Sequence, residues 1–149
     1  MSVVIICDQP AELESLKTLA IRQGIGKVFS FTHPALALDW CARHAPELVV
    51  VDFLLRANNG IEVIRELRAL PCMKHVPLVL MVPHGFESVT AEAWRQGATD
   101  FLSKPVDPTE FIVRTRNMLA LAAGTDVDDG PRAAWQNLAM HPAEPSALH

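Results

Sequence analysis

The sequence predicts one α/β domain doubly wound around a five-stranded parallel sheet, and three observations carry that prediction. Strand and helix patterns alternate from the first residues to Ala123. The strand segments are unbroken hydrophobic runs, among them Val3-Val4-Ile5-Ile6-Cys7 and Leu48-Val49-Val50-Val51. Without polar alternation, such runs fit strands covered by helices on both faces. Charged residues close these runs: Asp8 follows the first, Asp52 ends the second, and Phe101-Leu102 leads through Ser103 into Lys104-Pro105. Ligands of such sheets bind just beyond the carboxyl ends of the strands. Asp8, Asp52 and Lys104 are therefore expected to meet in one crevice, two carboxylates facing one ammonium.

Each element has its own signal. After the first strand, Pro10 suits the opening turn of a helix, where its missing N–H costs nothing. Leu13, Leu16, Leu19 and Ala20 form the apolar face of that helix, and Gly24 stops it. Lys27 to Phe31 reads as the second strand. Thr32 is the expected cap of a helix from Pro34 to His44, which Pro46 ends. The strand ending in Asp52 follows, then a loop containing Asn58-Asn59-Gly60. Ile61, Ile64 and Leu67 mark a helix reaching Leu70. Val76 to Val82 is the fourth strand, broken by Pro83-His84-Gly85. Ser88 to Gln96 is a helix closed by Gly97, and Phe101-Leu102 is a short fifth strand. Asp107-Pro108-Thr109-Glu110 places a cap, a first-turn proline and an acidic third position before the last helix. Phe111, Thr115, Met118 and Ala122 then recur at helical spacing.

A chain of 149 residues, half of them hydrophobic, is long enough to bury its own core. Its formal net charge is −4 with the two signs interspersed, which argues against a nucleic-acid-binding surface. No apolar stretch approaches a membrane span, and the start lacks a basic segment with a cleavage site. A cytoplasmic location is expected. Cys7, Cys41 and Cys72 are odd in number and widely spaced, as reduced thiols rather than a disulfide framework or zinc site. Residues 124–149 differ in composition, acidic and turn-rich at first and then rich in Pro, Ala and Ser. They read as a flexible tail or the start of a linker, with one short helix available to Trp135 and Leu138.

Taken in register, these residues resemble a response-regulator receiver domain, the phosphoacceptor half of two-component signalling. The resemblance rests on Asp8-Gln9-Pro10 after the first strand and on Asp52 ending the third, with Gly60 eight positions later. It rests further on the run Gly97-Ala98-Thr99-Asp100-Phe101-Leu102-Ser103-Lys104-Pro105. It implies a receiver domain over residues 1–123, of flavodoxin-like fold and strand order 2-1-3-4-5, with Asp52 as the phosphorylation site. It also implies a magnesium ion held by Asp8, Asp52 and the backbone carbonyl of Leu54. Lys104 would pair with Asp52 at rest and with a phosphoryl oxygen afterwards. The migrating phosphoryl group carries dispersed negative charge, so positioning and neutralisation do most of the work. Magnesium suits that task because it takes one or two carboxylates and keeps several waters.

Several positions qualify the resemblance. The family usually has two acids after the first strand, and Cys7 replaces the first of them. A neutral thiol is a poor ligand for a hard cation, so metal affinity should fall. Val82 stands where the family has the Ser or Thr that bonds the phosphoryl group and draws a loop inward. Losing a bond to a charged acceptor costs on the order of 1.5–3 kcal/mol, enough to uncouple a shallow switch. Pro83 replaces a small residue, stiffening the loop and narrowing the entrance. Phe101 is where the family often has an aromatic rotamer switch, which Val82 would leave unlinked to phosphate. His84 stands near the same opening, either as an acid–base group or as a loop histidine without a role. Leu54 would add an apolar wall against attacking water and slow dephosphorylation.

The leading expectation is thus a signalling phosphoacceptor, not an enzyme, fed by a histidine kinase or phosphotransfer protein. The alternative is a degenerate receiver that binds partners without phosphorylation. A hydrolase with Asp52 as nucleophile would usually carry a second aspartate where Leu54 stands, and no phosphate-cradling loop for flavin follows the first strand. An output partner is expected on the face of the fourth helix, fifth strand and fifth helix. Trp94 and Phe101 map there, with Trp94 either an exposed anchor or packed on its own helix. A homodimer stays open. Arg114 to Leu121 resembles the end of receivers that precede cyclic-dinucleotide phosphodiesterase or cyclase domains.

Overall fold

A computed structural model describes residues 1–123, so residues 124–149, with the expected tail and with Trp135 and Leu138, lie outside the described residues. The elements in chain order are β1 (Ser2–Ile6), α1 (Pro10–Arg22), β2 (Lys27–Phe31), α2 (Pro34–His44) and β3 (Leu48–Asp52). They continue with α3 (Gly60–Arg68), β4 (Leu78–Pro83), α4 (Thr90–Gln96), β5 (Asp100–Lys104) and α5 (Pro108–Ala123). The five strands form one sheet of order β2-β1-β3-β4-β5, and every neighbouring pair is parallel.

The missing polar alternation now has its cause. Successive strand side chains point to opposite faces, and both faces of this sheet are covered. Val3, Ile5 and Cys7 join Leu48, Val50, Val79 and Met81 in a core closed by α1 and α5. Val4 and Ile6 join Val49, Val51, Leu78 and Leu80 in a second core under α2, α3 and α4. All five residues of β3 are buried, so Asp52 is carried into the interior by the strand it terminates.

Several boundaries differ from expectation for local reasons. Thr32 does not cap α2: His33 occupies the cap position without a side-chain bond, and the Thr32 hydroxyl lies 3.0 Å from His33 Nδ1 instead. The loop residue Asn59 is the cap of α3, its side chain accepting from the backbone N–H groups of Ile61 and Glu62. Strand β4 starts at Leu78 rather than Val76, because Pro77 has no N–H and the Val76 carbonyl is taken by the Arg68 guanidinium at 2.8 Å. The expected start of α4 is a short 3-10 turn, Glu87–Val89, so the helix proper begins at Thr90. The expected cap of α5 forms, with Glu110 N donating to Asp107 Oδ2 at 2.8 Å. Among the described residues no helix is long and apolar enough to cross a membrane.

Candidate functional site

Parallel pairing brings the carboxyl ends of β1, β3 and β5 to one edge of the sheet. Asp52 lies opposite Met81, and Pro83, two residues on, lies opposite Lys104. The Asp52 side chain is fully buried and that of Lys104 only 16% exposed. Lys104 Nζ lies 2.9 Å from Asp52 Oδ2, and the Leu54 N–H donates to Asp52 Oδ1 at 3.2 Å. Both oxygens of the buried carboxylate are therefore held, as burial of a charge requires. Gly60 makes room for this arrangement. A Cβ there would collide with the Asp52 carbonyl oxygen and crowd Leu80 and Phe53.

The second carboxylate on Lys104 is one the sequence reading missed. Glu12, in the first turn of α1, places Oε1 2.9 Å from Lys104 Nζ. Cys7 adjoins both acids, its Sγ 3.4 Å from Glu12 Oε1 and 3.5 Å from Asp52 Oδ2. Cys7, Glu12 and Asp52 thus bring ligand atoms within 4.8 Å of one another. Asp8 stands outside that group, with Oδ2 accepting the Arg56 N–H at 2.6 Å. A signal for Glu12 was present: it is an acid in the first turn of the helix that leaves the carboxyl end of β1. Attention to strand ends alone passed over it.

Burial pushes the Cys7 thiol up to about 12; the Gln9 backbone opposes this, and the charges of Asp52 and Glu12 add to it. Cys7 is thus a neutral donor near neutral pH. For Lys104, burial favours the neutral amine, but the hydrogen bonds to Glu12 and Asp52 outweigh it and hold its pKa above that of an ordinary lysine. The ammonium neutralises one of the two carboxylates it bridges and leaves the other in excess. The donor set fits a hard divalent cation through its carboxylate oxygens, while the thiol adds nothing to such an ion.

The other expected positions surround this centre. Val82, 4% exposed, lies opposite Ser103. Leu54 is exposed, and His84 extends into solvent with Nδ1 3.6 Å from the Glu87 carboxylate. Trp94 is neither a free anchor nor packed only on its own helix. It is half-buried and stacks on Phe101 of β5, the ring centroids 5.7 Å apart and the planes 9° from parallel.

An open parallel sheet with a buried aspartate and a lysine at its carboxyl edge is a doubly wound α/β domain with its polar site at the strand ends. Residues 3–116 match the response regulator receiver domain, and the chain belongs to that family. It is 36% identical over 95 residues to the cyclic di-GMP phosphodiesterase response regulator RpfG of Xanthomonas campestris, covering 64% of this chain and 25% of that protein. It is 28% identical over 120 residues to the response regulator Rre1 of Synechocystis, covering 80% of this chain and 52% of that protein. The chain thus spans between a quarter and about half of these two relatives. The fold matches the receiver domain of NtrX from Brucella abortus with a TM-score of 0.73 at 22% identity, covering 79% of this chain and 98% of that one. Receivers generally bind Mg2+ at their acidic site and work with histidine kinases or phosphotransfer proteins.

Proposed function

We propose that Asp52 accepts a phosphoryl group from a phosphohistidine, and that the conformational response to this event is weak. The buried Asp52–Lys104 pair at the end of β3 carries the reading. A carboxylate oxygen of Asp52 bonds to phosphorus as the phosphorus–nitrogen bond to the donor imidazole breaks, and the released imidazole takes up a proton. Lys104 then moves from the carboxylate to a phosphoryl oxygen. Magnesium, with Asp8, Asp52 and the Leu54 carbonyl as the expected holders, would neutralise charge on the migrating group. The exposed Leu54 side chain shields the acyl phosphate from water and slows its loss.

Val82 supports the second half of the proposal. It sits beside Ser103 with no hydroxyl to offer a phosphoryl oxygen, and Pro83 follows it directly. These two residues also favour the alternative, a receiver that binds partners without phosphorylation. The output face would be α4–β5–α5, bearing the Trp94–Phe101 stack. The likeness to RpfG, together with Arg114 to Leu121, supports placing the chain upstream of cyclic-dinucleotide turnover, and such a receiver would act in the cytoplasm.

The deciding experiment is incubation with Mg2+ and acetyl phosphate followed by intact mass measurement, with Asp52→Asn as control. One phosphoryl adduct, absent from the variant, is expected. Its absence under conditions that label an ordinary receiver would overturn phosphoacceptance from small donors and leave the binding module.

A further inference from the structure

Cys41 and Cys72 take no part in the site at the strand ends, yet the fold brings them together from 31 residues apart in the chain. Cys41 is buried in α2, where it joins the core under α2, α3 and α4. Cys72 is exposed, the middle residue of a short 3-10 turn, Pro71–Met73. Its Sγ donates to the carbonyl oxygen of Cys41 itself at 3.4 Å and reaches that of Ala42 at 3.7 Å. A thiol open to solvent thus rests directly on the residue that carries a thiol closed off from it. Burial, and then the nearness of Cys72, push the Cys41 thiol up to about 12, and the second of these effects needs the two sulfurs to be close.

We propose that Cys72 and Cys41 are a reversible redox pair, in which the exposed Cys72 meets hydrogen peroxide and Cys41 resolves the product to an intramolecular disulfide. The Cys72 sulfur, as thiolate, attacks one peroxide oxygen. The O–O bond breaks, hydroxide leaves and takes up a proton, and Cys72 becomes a sulfenic acid. The Cys41 sulfur then attacks the Cys72 sulfur. An S–S bond forms, the S–O bond breaks, and hydroxide leaves as water with the proton from Cys41. Two thiols lose two hydrogens in all, and one peroxide becomes two waters. A disulfide spans Cα atoms about 4.4–6.8 Å apart, and turning the exposed Cys72 side chain from the Cys41 carbonyl to the Cys41 sulfur closes it. The bond would fasten α2 to a turn that already leads to α4. Arg68 donates to the Met73 carbonyl of that turn and to the carbonyl of Gly97, which closes α4, at 2.6 Å each. Oxidation is thereby an input to the domain that does not pass through Asp52.

The test is treatment of the full folded chain with hydrogen peroxide, blocking of the remaining thiols with N-ethylmaleimide in denaturant, and tryptic mass mapping without reductant. Peptides 28–43 and 69–74 should appear joined and should separate on adding dithiothreitol. Cys72→Ser should abolish the joined pair and leave Cys41 as a free thiol. In Cys41→Ala, which lacks the resolving sulfur, Cys72 should pass on to the sulfinic acid or pair with a second chain. A wild-type chain that gives those same products with Cys41 still reduced overturns the proposal. So does a Cys72 that peroxide leaves untouched, and so does a joined pair that forms only when the chain is unfolded in urea.

Discussion

At the scale of single residues, the site depends on an atom that is missing. Gly60 lets the start of α3 lie directly against the backbone of Asp52, and its N–H donates to the Phe53 carbonyl at 2.9 Å. Replacing it with alanine would gain roughly 0.4–1 kcal/mol from a stiffer unfolded chain where the conformation allows. The new methyl would meet backbone, which cannot swing aside, and overpacking of that kind costs about 1–3 kcal/mol. The second effect wins. Gly60→Ala should lower the unfolding free energy by that net amount, seen as a lower urea midpoint, and reduce acetyl phosphate labelling of Asp52 as well. A midpoint equal to wild type would show that the Asp52 carbonyl can yield.

At the scale of elements, the proposed function makes the link between β4, β5 and α4 the route by which phosphorylation of Asp52 would be felt at a distance. Phe101 is clamped under Trp94, and an offset aromatic pair of this kind is worth about 0.5–1.5 kcal/mol beyond its buried area. Under that proposal, Val82 in β4 offers no hydroxyl to a phosphoryl oxygen, which would leave the clamp in place. Val82→Thr should restore the bond, at a modest cost in stability from burying a hydroxyl. Trp94 then becomes its own reporter. On adding acetyl phosphate, tryptophan fluorescence should change more in Val82→Thr than in wild type, and not at all when Asp52→Asn is added. Equal responses would mean that the strand-to-helix link is broken elsewhere, with Pro83 the next residue to replace.

At the scale of the whole molecule, several buried groups retain protons that the unfolded chain would release. Burial pushes the Cys41 thiol up to about 12, with the neighbouring Cys72 adding to it, and Cys7 behaves alike. Lys104 is also held above its ordinary range by its two carboxylates. Each folded pKa exceeds its unfolded value, so these contributions are fully present below the unfolded pKa and are lost as pH rises through the folded one. From about pH 9 upward the folded chain binds more protons than the unfolded chain, and stability must fall. The melting temperature should be flat from pH 7 to 8.5 and decline above pH 9. Cys41→Ala should show a shallower decline from a lower starting point. An unchanged slope in that variant would count against the buried thiol as a source.

Much of the architecture could be read from local pattern, because a strand buried on both faces must be hydrophobic throughout and a helix must show its apolar stripe. Capping residues such as Asp107 act within one turn, so they too could be read from neighbours in the chain. Asp52 and Lys104 were visible for a related reason: in a parallel sheet, the ends of strands share an edge. Contacts between elements distant in the chain left no comparable trace. Arg68 is an unremarkable helix residue in sequence, yet its guanidinium ties the carbonyls of Met73, Val76 and Gly97 together at 2.6–2.8 Å. The side chain of Trp94 had two readings until β5 placed Phe101 beneath it. Glu12 depends on the angle at which α1 leaves the sheet, which sets where a first-turn carboxylate ends. Periodicity and strand ends belong to the chain itself, whereas the partner of a long polar side chain is chosen by packing that brings together residues far apart along it.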